Sequence, residues 1–128
     1  PEDYVIATGK QFSVREFIER CFEYIGVKLK WSGKGDKEIA TITSSKKSIK
    51  NLKVGSIVVR VDKRYYRPLE VSNLLGDASK AKKELGWEPK TSFDDLVSMM
   101  VDHDIDEAKR EKVLIENNLL EPTWEFPT

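Results

Sequence analysis

Two arginines, two tyrosines and a carboxylate lie within seven residues, from Arg64 to Glu70, and this grouping is well suited to bind a nucleotide. The guanidinium of Arg67 can donate two parallel hydrogen bonds to a phosphate. Pro68 fixes its own φ and disfavours a helical conformation for Arg67, so Arg67 is expected to be extended. Glu70 can accept hydrogen bonds from a diol such as ribose. A phosphate beside a sugar diol is a nucleotide.

The same residues also fit a solvated surface loop in which the arginines pair with Glu70. Charge favours an anion site, because residues 28–67 contain 12 basic and 3 acidic side chains although the formal net charge is zero. Such a stretch attracts anions, including phosphate esters and nucleic acid. A zero overall charge argues against nucleic acid.

The elements that position this segment are predicted from local patterns. Ser13 and Glu16 have the spacing of a capping box, and an apolar stripe follows to Ile25 before Gly26 ends the helix. Further helices are predicted from Ala78 to Leu85 and from Phe93 onward to Ile115. Apolar or alternating runs predict four short strands, Tyr4–Thr8, Lys28–Trp31, Glu38–Thr43 and Ile57–Val61. The pattern indicates an α/β domain with a few short strands and three or four helices.

Other chemistry finds little support in the sequence. His103 is the single histidine and Cys21 the single cysteine, so neither a metal site nor an internal disulfide is expected. Gly33 and Gly35 form a Gly-x-Gly without the third glycine of a dinucleotide-binding turn. No catalytic residue is therefore predicted. No apolar run is long enough to span a bilayer, so we expect a cytoplasmic protein that does not bind membranes.

Two motifs carry a family pattern, Arg67-Pro68-x-Glu70-Val71 followed by Leu74-Leu75-Gly76-Asp77, and Leu85-Gly86-Trp87-x-Pro89. With several further segments, they resemble the C-terminal part of GDP-mannose 4,6-dehydratases, enzymes of the extended short-chain dehydrogenase/reductase superfamily. The resemblance extends from about residue 4 to about residue 115. Leu-Gly-Trp-x-Pro is common to many nucleotide-sugar epimerases and dehydratases, whereas Arg-Pro-x-Glu-Val followed by Leu-Leu-Gly-Asp is specific to the GDP-mannose enzymes. The segments that carry it are Tyr4–Gly9, Ser13–Phe17, Arg60–Val71, Leu74–Asp77, Ser79–Ala81, Leu85–Pro89 and Phe93–Asp104.

This resemblance implies a substrate-binding domain over residues 1–120, an irregular tail over 121–128, and a preceding NADP-binding Rossmann domain that is missing here. The intact enzyme would be a lyase that oxidises GDP-mannose at C4, eliminates water across C5 and C6, and returns the hydride at C6. Its product would be GDP-4-keto-6-deoxymannose, the precursor of GDP-fucose. The fragment alone would bind no cofactor and be inactive, and the intact enzyme would be a homo-oligomer.

The resemblance also implies roles for individual residues. Arg67 would contact the diphosphate and Glu70 the ribose, with Val59 and Arg60 near the nucleotide. Lys63 departs from the proline expected at its position, and residues 43–55 match the family poorly. Two alternatives remain, a related NAD(P)-dependent epimerase or reductase, and a stand-alone module that binds anions or nucleic acid.

Overall fold

The computed structural model describes residues 1–46, 52–67 and 74–121. It divides into two compact units, Pro1–Ser92 and Phe93–Thr128. The described residues form helices and an antiparallel sheet, as the predicted α/β class requires. The predicted boundary at residue 120 stays a prediction, since residues 122–128 of the tail lie outside the described ranges.

The first unit contains the sheet and two α-helices among its described residues. In chain order these are α1 (Val14–Tyr24), β1 (Val27–Ser32), a 3-10 turn (Gly35–Lys37), β2 (Ile39–Ser45), β3 (Ile57–Arg60) and α2 (Ser79–Leu85). The predicted strands at 28–31, 38–43 and 57–61 are therefore confirmed to within two residues. The end of β1 and the beginning of β2 are joined by the short glycine-containing turn.

The sheet has the strand order β1-β2-β3, with antiparallel neighbours. Ala40 on β2 is the register partner of both Trp31 and Val59, and Ile42 is the partner of Leu29. Directly opposed residues share a face, so these side chains lie on one side of the sheet. Helix α1 packs against β1, and the core residues Val27, Ala40 and Ile42 are at most 1% exposed.

Helix α1 begins with the predicted capping box. Ser13 Oγ accepts a hydrogen bond from the Glu16 backbone N–H at 3.1 Å, and Glu16 Oε2 accepts from the Ser13 N–H at 2.7 Å. Two backbone donors at the open end of the helix are thereby satisfied. Gly26 has φ +80° and lets the chain leave the helix directly into β1. The predicted start and end of this helix are confirmed.

The predicted strand over residues 4–8 is wrong. This segment has no regular structure, and Val5 and Ile6 are 53% and 59% exposed. Instead, Tyr4 Oη donates to Glu84 Oε2 on α2 at 2.9 Å, and Lys80 Nζ lies 4.7 Å from the centre of the Tyr4 ring. An apolar run becomes a strand only if another strand pairs with it, and among the described strands none pairs with this one.

Helix α2 ends as predicted at Gly86, which adopts the left-handed conformation at φ +65°. Asp77 accepts hydrogen bonds from the backbone N–H and the hydroxyl of Ser79, although Ala78 occupies the N-cap position. Ala81 is fully buried, as expected. The apolar positions of this helix predict that Ala81 and Leu85 both face inward. Leu85 is 59% exposed, so this prediction is wrong for Leu85. Seven residues make fewer than two full turns, which limits how much one face can cover.

The second unit is built on α3, which extends from Phe93 to Glu116. Asp94 and Asp95 stand in its first turn, where negative charge favours the helix dipole. The apolar spacing predicts one face that includes Leu96, Val97 and Met100. Val97 is 2% exposed, whereas Leu96 and Met100 are 45% and 42% exposed. The prediction of one long helix to residue 115 is confirmed. Within the described ranges, none of the helices combines the length and apolar content that crossing a bilayer requires.

Candidate functional site

Strand β3 places two of the predicted site residues on opposite faces of the sheet. Val59 is half-buried and is the register partner of Ala40, on the face that α1 covers. Arg60 is exposed and is the partner of Ile39. Because adjacent residues of a strand point to opposite sides, the side chains of Val59 and Arg60 do not converge on one point. Arg60 therefore contributes its charge to the outer face, where Lys28 and Lys30 are also exposed.

The chain reverses direction immediately after β3. The Val61 N–H first donates to the Glu38 carbonyl at 3.3 Å, which continues the pairing with β2. The Tyr65 N–H then donates to the Asp62 carbonyl at 3.0 Å, a hydrogen bond that closes a β-turn. The Tyr66 N–H donates to the Lys63 carbonyl at 3.4 Å, and this hydrogen bond closes a second turn that overlaps the first. The residues that lead to Arg67 thus follow a defined path.

Tyr66 brings this turn against the connection between β1 and β2. A Cβ added to Gly35 would lie 3.0 Å from Tyr66 Oη, so the hydroxyl borders the space that a side chain at this position would fill. On the same side, Lys63 Nζ lies 3.9 Å from Asp36 Oδ2. The turn after β3 and the glycine-containing connection therefore form one end of the sheet.

Arg67 is the last described residue before a gap in the described chain. Its side chain is exposed, so it is accessible to a ligand in solvent. Glu70, the predicted ribose contact, lies outside the described residues, as does Pro68. The roles assigned to Arg67, Glu70, Arg60 and Val59 therefore stay predictions.

Asp62 and Arg64 form an ion pair that the sequence did not single out. Asp62 Oδ2 accepts from Arg64 Nε at 3.0 Å and from an outer guanidinium nitrogen at 2.6 Å, and Oδ1 accepts from the Arg64 backbone N–H at 2.9 Å. The Arg64 side chain, and then its backbone N–H, hold the pKa of Asp62 below its usual range. The sequence feature that could have revealed this ion pair is an aspartate two residues before an arginine at the end of a strand. Arg64 pairs with Asp62 here, whereas the surface-loop alternative assigned its partner as Glu70.

A cleft of about 410 Å³ lies elsewhere in the first unit, around Trp87. An ion pair between Lys82 and Glu88, at 2.6 Å, closes part of its rim. Trp87 itself is half-buried. None of the predicted nucleotide contacts in the described ranges lines this cleft.

The Gly-x-Gly at residues 33–35 does not fit a dinucleotide. Both glycines lie between two antiparallel strands and lead into a three-residue 3-10 turn. A dinucleotide pyrophosphate is held by a glycine turn between a strand and the N-terminus of an α-helix. A Cβ on Gly33 would lie 2.2 Å from the Lys37 carbonyl oxygen, so this glycine is required for close backbone packing. This glycine turn is therefore not placed as a dinucleotide cradle.

Metal-binding groupings are missing from the described part of the chain. No three residues among its histidine, cysteine and carboxylate side chains are placed to hold a metal ion. His103 is exposed on α3, and Cys21 is half-buried on α1. What the described site can supply is positive charge and hydrogen-bond donors, which suit an anionic ligand.

An α/β unit with an exposed cationic segment after a strand defines a candidate anion-binding domain. The family model described as GDP-mannose 4,6 dehydratase matches residues 1–100. The chain is 49% identical over 118 residues to the GDP-mannose 4,6-dehydratase of Yersinia enterocolitica serotype O:8, covering 91% of this chain and 32% of that protein.

Relatives from distant organisms agree with this match. The GDP-mannose 4,6-dehydratase of Vibrio cholerae is 47% identical over 116 residues, covering 89% of this chain and 31% of the relative. The GDP-mannose 4,6 dehydratase of Homo sapiens is 44% identical over 106 residues, covering 83% and 26%. The chain belongs to the GDP-mannose 4,6-dehydratase family. It spans about a third or less of the length of these relatives. The match does not favour the two alternatives, a related epimerase or reductase and a stand-alone module that binds anions or nucleic acid.

Proposed function

We propose that this chain is the substrate-binding part of an enzyme that converts GDP-mannose to GDP-4-keto-6-deoxymannose. The family match over residues 1–100 carries the proposal, because it includes the Arg67 segment and the elements that position it. The relatives named for this activity are about three times longer than the chain, which supports a role as one part of a larger enzyme.

Arg67 is proposed to bind the diphosphate of the substrate. Its exposed guanidinium follows a hydrogen-bonded turn at the end of β3, in a stretch with a large excess of basic residues. A guanidinium can donate two parallel hydrogen bonds to phosphate oxygens, and such charge-assisted bonds are strong. Glu70 is proposed to accept from the ribose, and Arg60 to add positive charge near the nucleotide. Because the Val59 side chain lies on the opposite face of β3, we assign it no side-chain contact with the same nucleotide.

NADP is proposed as the cofactor of the complete enzyme, bound by a Rossmann domain that precedes these residues. The hydride chemistry is proposed to be performed by that domain rather than by this chain. A cytoplasmic location and homo-oligomeric assembly remain predictions from the sequence. The chain's own contribution to the reaction is to bind and orient the sugar nucleotide.

The test is Arg67→Ala in the full-length enzyme, with the affinity for GDP-mannose measured by calorimetry. We expect a loss of about 1.5–3 kcal/mol, the range for a hydrogen bond that involves a charged group. Arg67→Lys is the matched control, because it keeps the positive charge but cannot donate two parallel hydrogen bonds to a phosphate. We expect an affinity for GDP-mannose between those of the parent and Arg67→Ala. NADP affinity should not change in either variant. Unchanged GDP-mannose affinity in Arg67→Ala would remove the basis of the proposal.

A further inference from the structure

The segment after β3 contains two arginines, Arg64 within the turn and Arg67 directly after it. Arg64 is held by Asp62 through its guanidinium and its backbone N–H together. Its guanidinium also lies 5.6 Å from the centre of the Tyr65 ring, within the range of a cation–π interaction. These contacts fix Arg64 inside the turn. The guanidinium of Arg64 therefore interacts with Asp62 and Tyr65 within the turn.

The ion pair is too exposed to contribute much to overall stability. The side chains of Asp62 and Arg64 are 41% and 76% exposed, and surface pairs of this kind are weak. Its geometry is nevertheless specific. One carboxylate accepts from the guanidinium and from the backbone N–H of the same residue, so rotation of that side chain is coupled to the backbone of the turn. The pair defines the local backbone path more than it stabilises the fold.

The turn is also anchored to the sheet on both sides. The Val61 N–H bonds to the carbonyl of Glu38 before the turn, and the Tyr66 hydroxyl borders Gly35 after it. Between these anchors, the chain path is set by the backbone bonds to the carbonyls of Asp62 and Lys63 and by the Asp62 carboxylate. Arg67 follows directly. A change at Asp62 would therefore be transmitted to Arg67 along only a few bonds.

We propose that Asp62, acting through Arg64 and the turn, is a positioning residue that orients Arg67 toward the diphosphate of a nucleoside-diphosphate sugar. By pairing with Arg64, Asp62 also keeps that arginine from competing with Arg67 for the phosphates. This inference rests on the proposed function, since it assigns a partner to the same site. Asp62 itself does not touch the substrate.

The experiment is a double-mutant cycle in the full-length enzyme, with Asp62→Ala, Arg67→Ala and the double variant. GDP-mannose and NADP affinities and the KM and kcat of each variant are measured. We expect Asp62→Ala to raise the KM for GDP-mannose roughly tenfold, within the range for coupled neighbours. We expect kcat and NADP affinity to stay within about twofold, because the chemistry is performed by other residues.

The double variant separates positioning from a general loss of structure. If Asp62 acts through Arg67, then Asp62→Ala should change GDP-mannose affinity by less than about twofold when Arg67 is already alanine. A loss of equal size in both backgrounds would overturn the inference. Asp62→Asn is the second variant, since it keeps an acceptor for the backbone N–H of Arg64 but removes the ion pair, and we expect a smaller rise in KM.

Asp36→Asn is the matched control. It removes the same charge at the same end of the sheet, where its carboxylate lies 3.9 Å from Lys63 Nζ, and should leave KM unchanged. If Arg67→Ala weakens GDP-mannose binding but neither Asp62 variant does, the inference fails while the proposed function stands. If Arg67→Ala has no effect, the proposed function fails, and the inference fails with it.

Discussion

The indole N–H of Trp31 on β1 donates to the carboxylate of Glu19 on α1 at 2.7 Å. The Arg15 guanidinium lies 5.0 Å from the centre of the same ring and forms an ion pair with Glu38, just before β2. These contacts tie α1 to the first two strands. Since β2 pairs with β3, the same contacts support the strand from which the Arg67 segment emerges.

Trp31→Phe should therefore destabilise the first unit. The change keeps an aromatic ring for Arg15 but removes the donor to Glu19, which is half-buried and would lose a partner. Hydrogen bonds to charged groups contribute about 1.5–3 kcal/mol, and we expect the lower end because Glu19 is partly hydrated. Urea unfolding followed by circular dichroism measures the change. Glu19→Gln retains an acceptor and should cost less, so a larger loss in that variant would contradict this account.

Gly33 and Gly55 provide a matched test of backbone packing. Both have positive φ, +82° and +89°, so alanine is strained at either position. At Gly33 the added Cβ meets the Lys37 carbonyl oxygen at 2.2 Å, whereas at Gly55 none of the described residues comes within 4 Å of it. We expect Gly33→Ala to be less stable than Gly55→Ala by at least about 1 kcal/mol, as in overpacking. Equal unfolding midpoints in urea would disprove the close packing.

Local patterns predicted the elements that are stabilised locally. The Ser13–Glu16 capping box and the left-handed Gly26 fix α1 with contacts inside a few residues, so sequence spacing was sufficient. The run from Tyr4 to Thr8 was predicted as a strand because it is apolar, but strand formation depends on a distant partner. Periodicity cannot supply that information, and the described segment packs its tyrosine on α2 instead.

The site was only partly predictable, for a similar reason. The anion-binding character of the segment follows from residue types, and the exposed Arg67 is consistent with it. The pairing of Asp62 with Arg64 depends on the turn geometry, which residue types alone do not determine. The opposite orientations of Val59 and Arg60 follow from strand alternation once β3 is placed, and resemblance to a family did not reveal them.

The capping box should make stability depend on pH in the acid range. Hydrogen bonds from the Ser13 backbone N–H and hydroxyl lower the pKa of Glu16 in the folded chain. A lowered folded pKa means that this stabilisation is complete above the ordinary glutamate pKa of about 4.3 and is lost as pH falls through the folded value.

Glu16→Gln tests the contribution of that single group to the pH dependence. Glutamine still accepts from the Ser13 N–H but does not titrate, so the variant should lose less stability than the parent as pH falls from 6 to about 3. Urea midpoints across this range give the comparison. Other carboxylates with lowered pKa values titrate equally in both proteins, namely Asp62, Asp77, Glu88 and Asp106. Parallel curves for parent and variant would show that the cap contributes nothing.

Lys63→Pro should stabilise the turn that precedes Arg67. Lys63 is the second residue of the turn closed by the Tyr65 N–H and the Asp62 carbonyl, the position at which proline is favoured. Within the described residues the Lys63 N–H donates no hydrogen bond, so proline removes none. Proline also favours an extended backbone for the residue before it, here Asp62, which directly follows the strand β3 and Val61. We expect a gain of about 0.4–1 kcal/mol, because proline restricts the unfolded chain.

Lys63→Ala is the control for this change, since it removes the distant contact with Asp36 without restricting the backbone. That contact is 3.9 Å long and Lys63 is 78% exposed, so the alanine variant should have nearly the stability of the parent. Urea midpoints of the three proteins give the ranking. If Lys63→Pro is less stable than Lys63→Ala, the turn is not of a type that accepts proline there. The path assigned to the chain between β3 and Arg67 would then be incorrect.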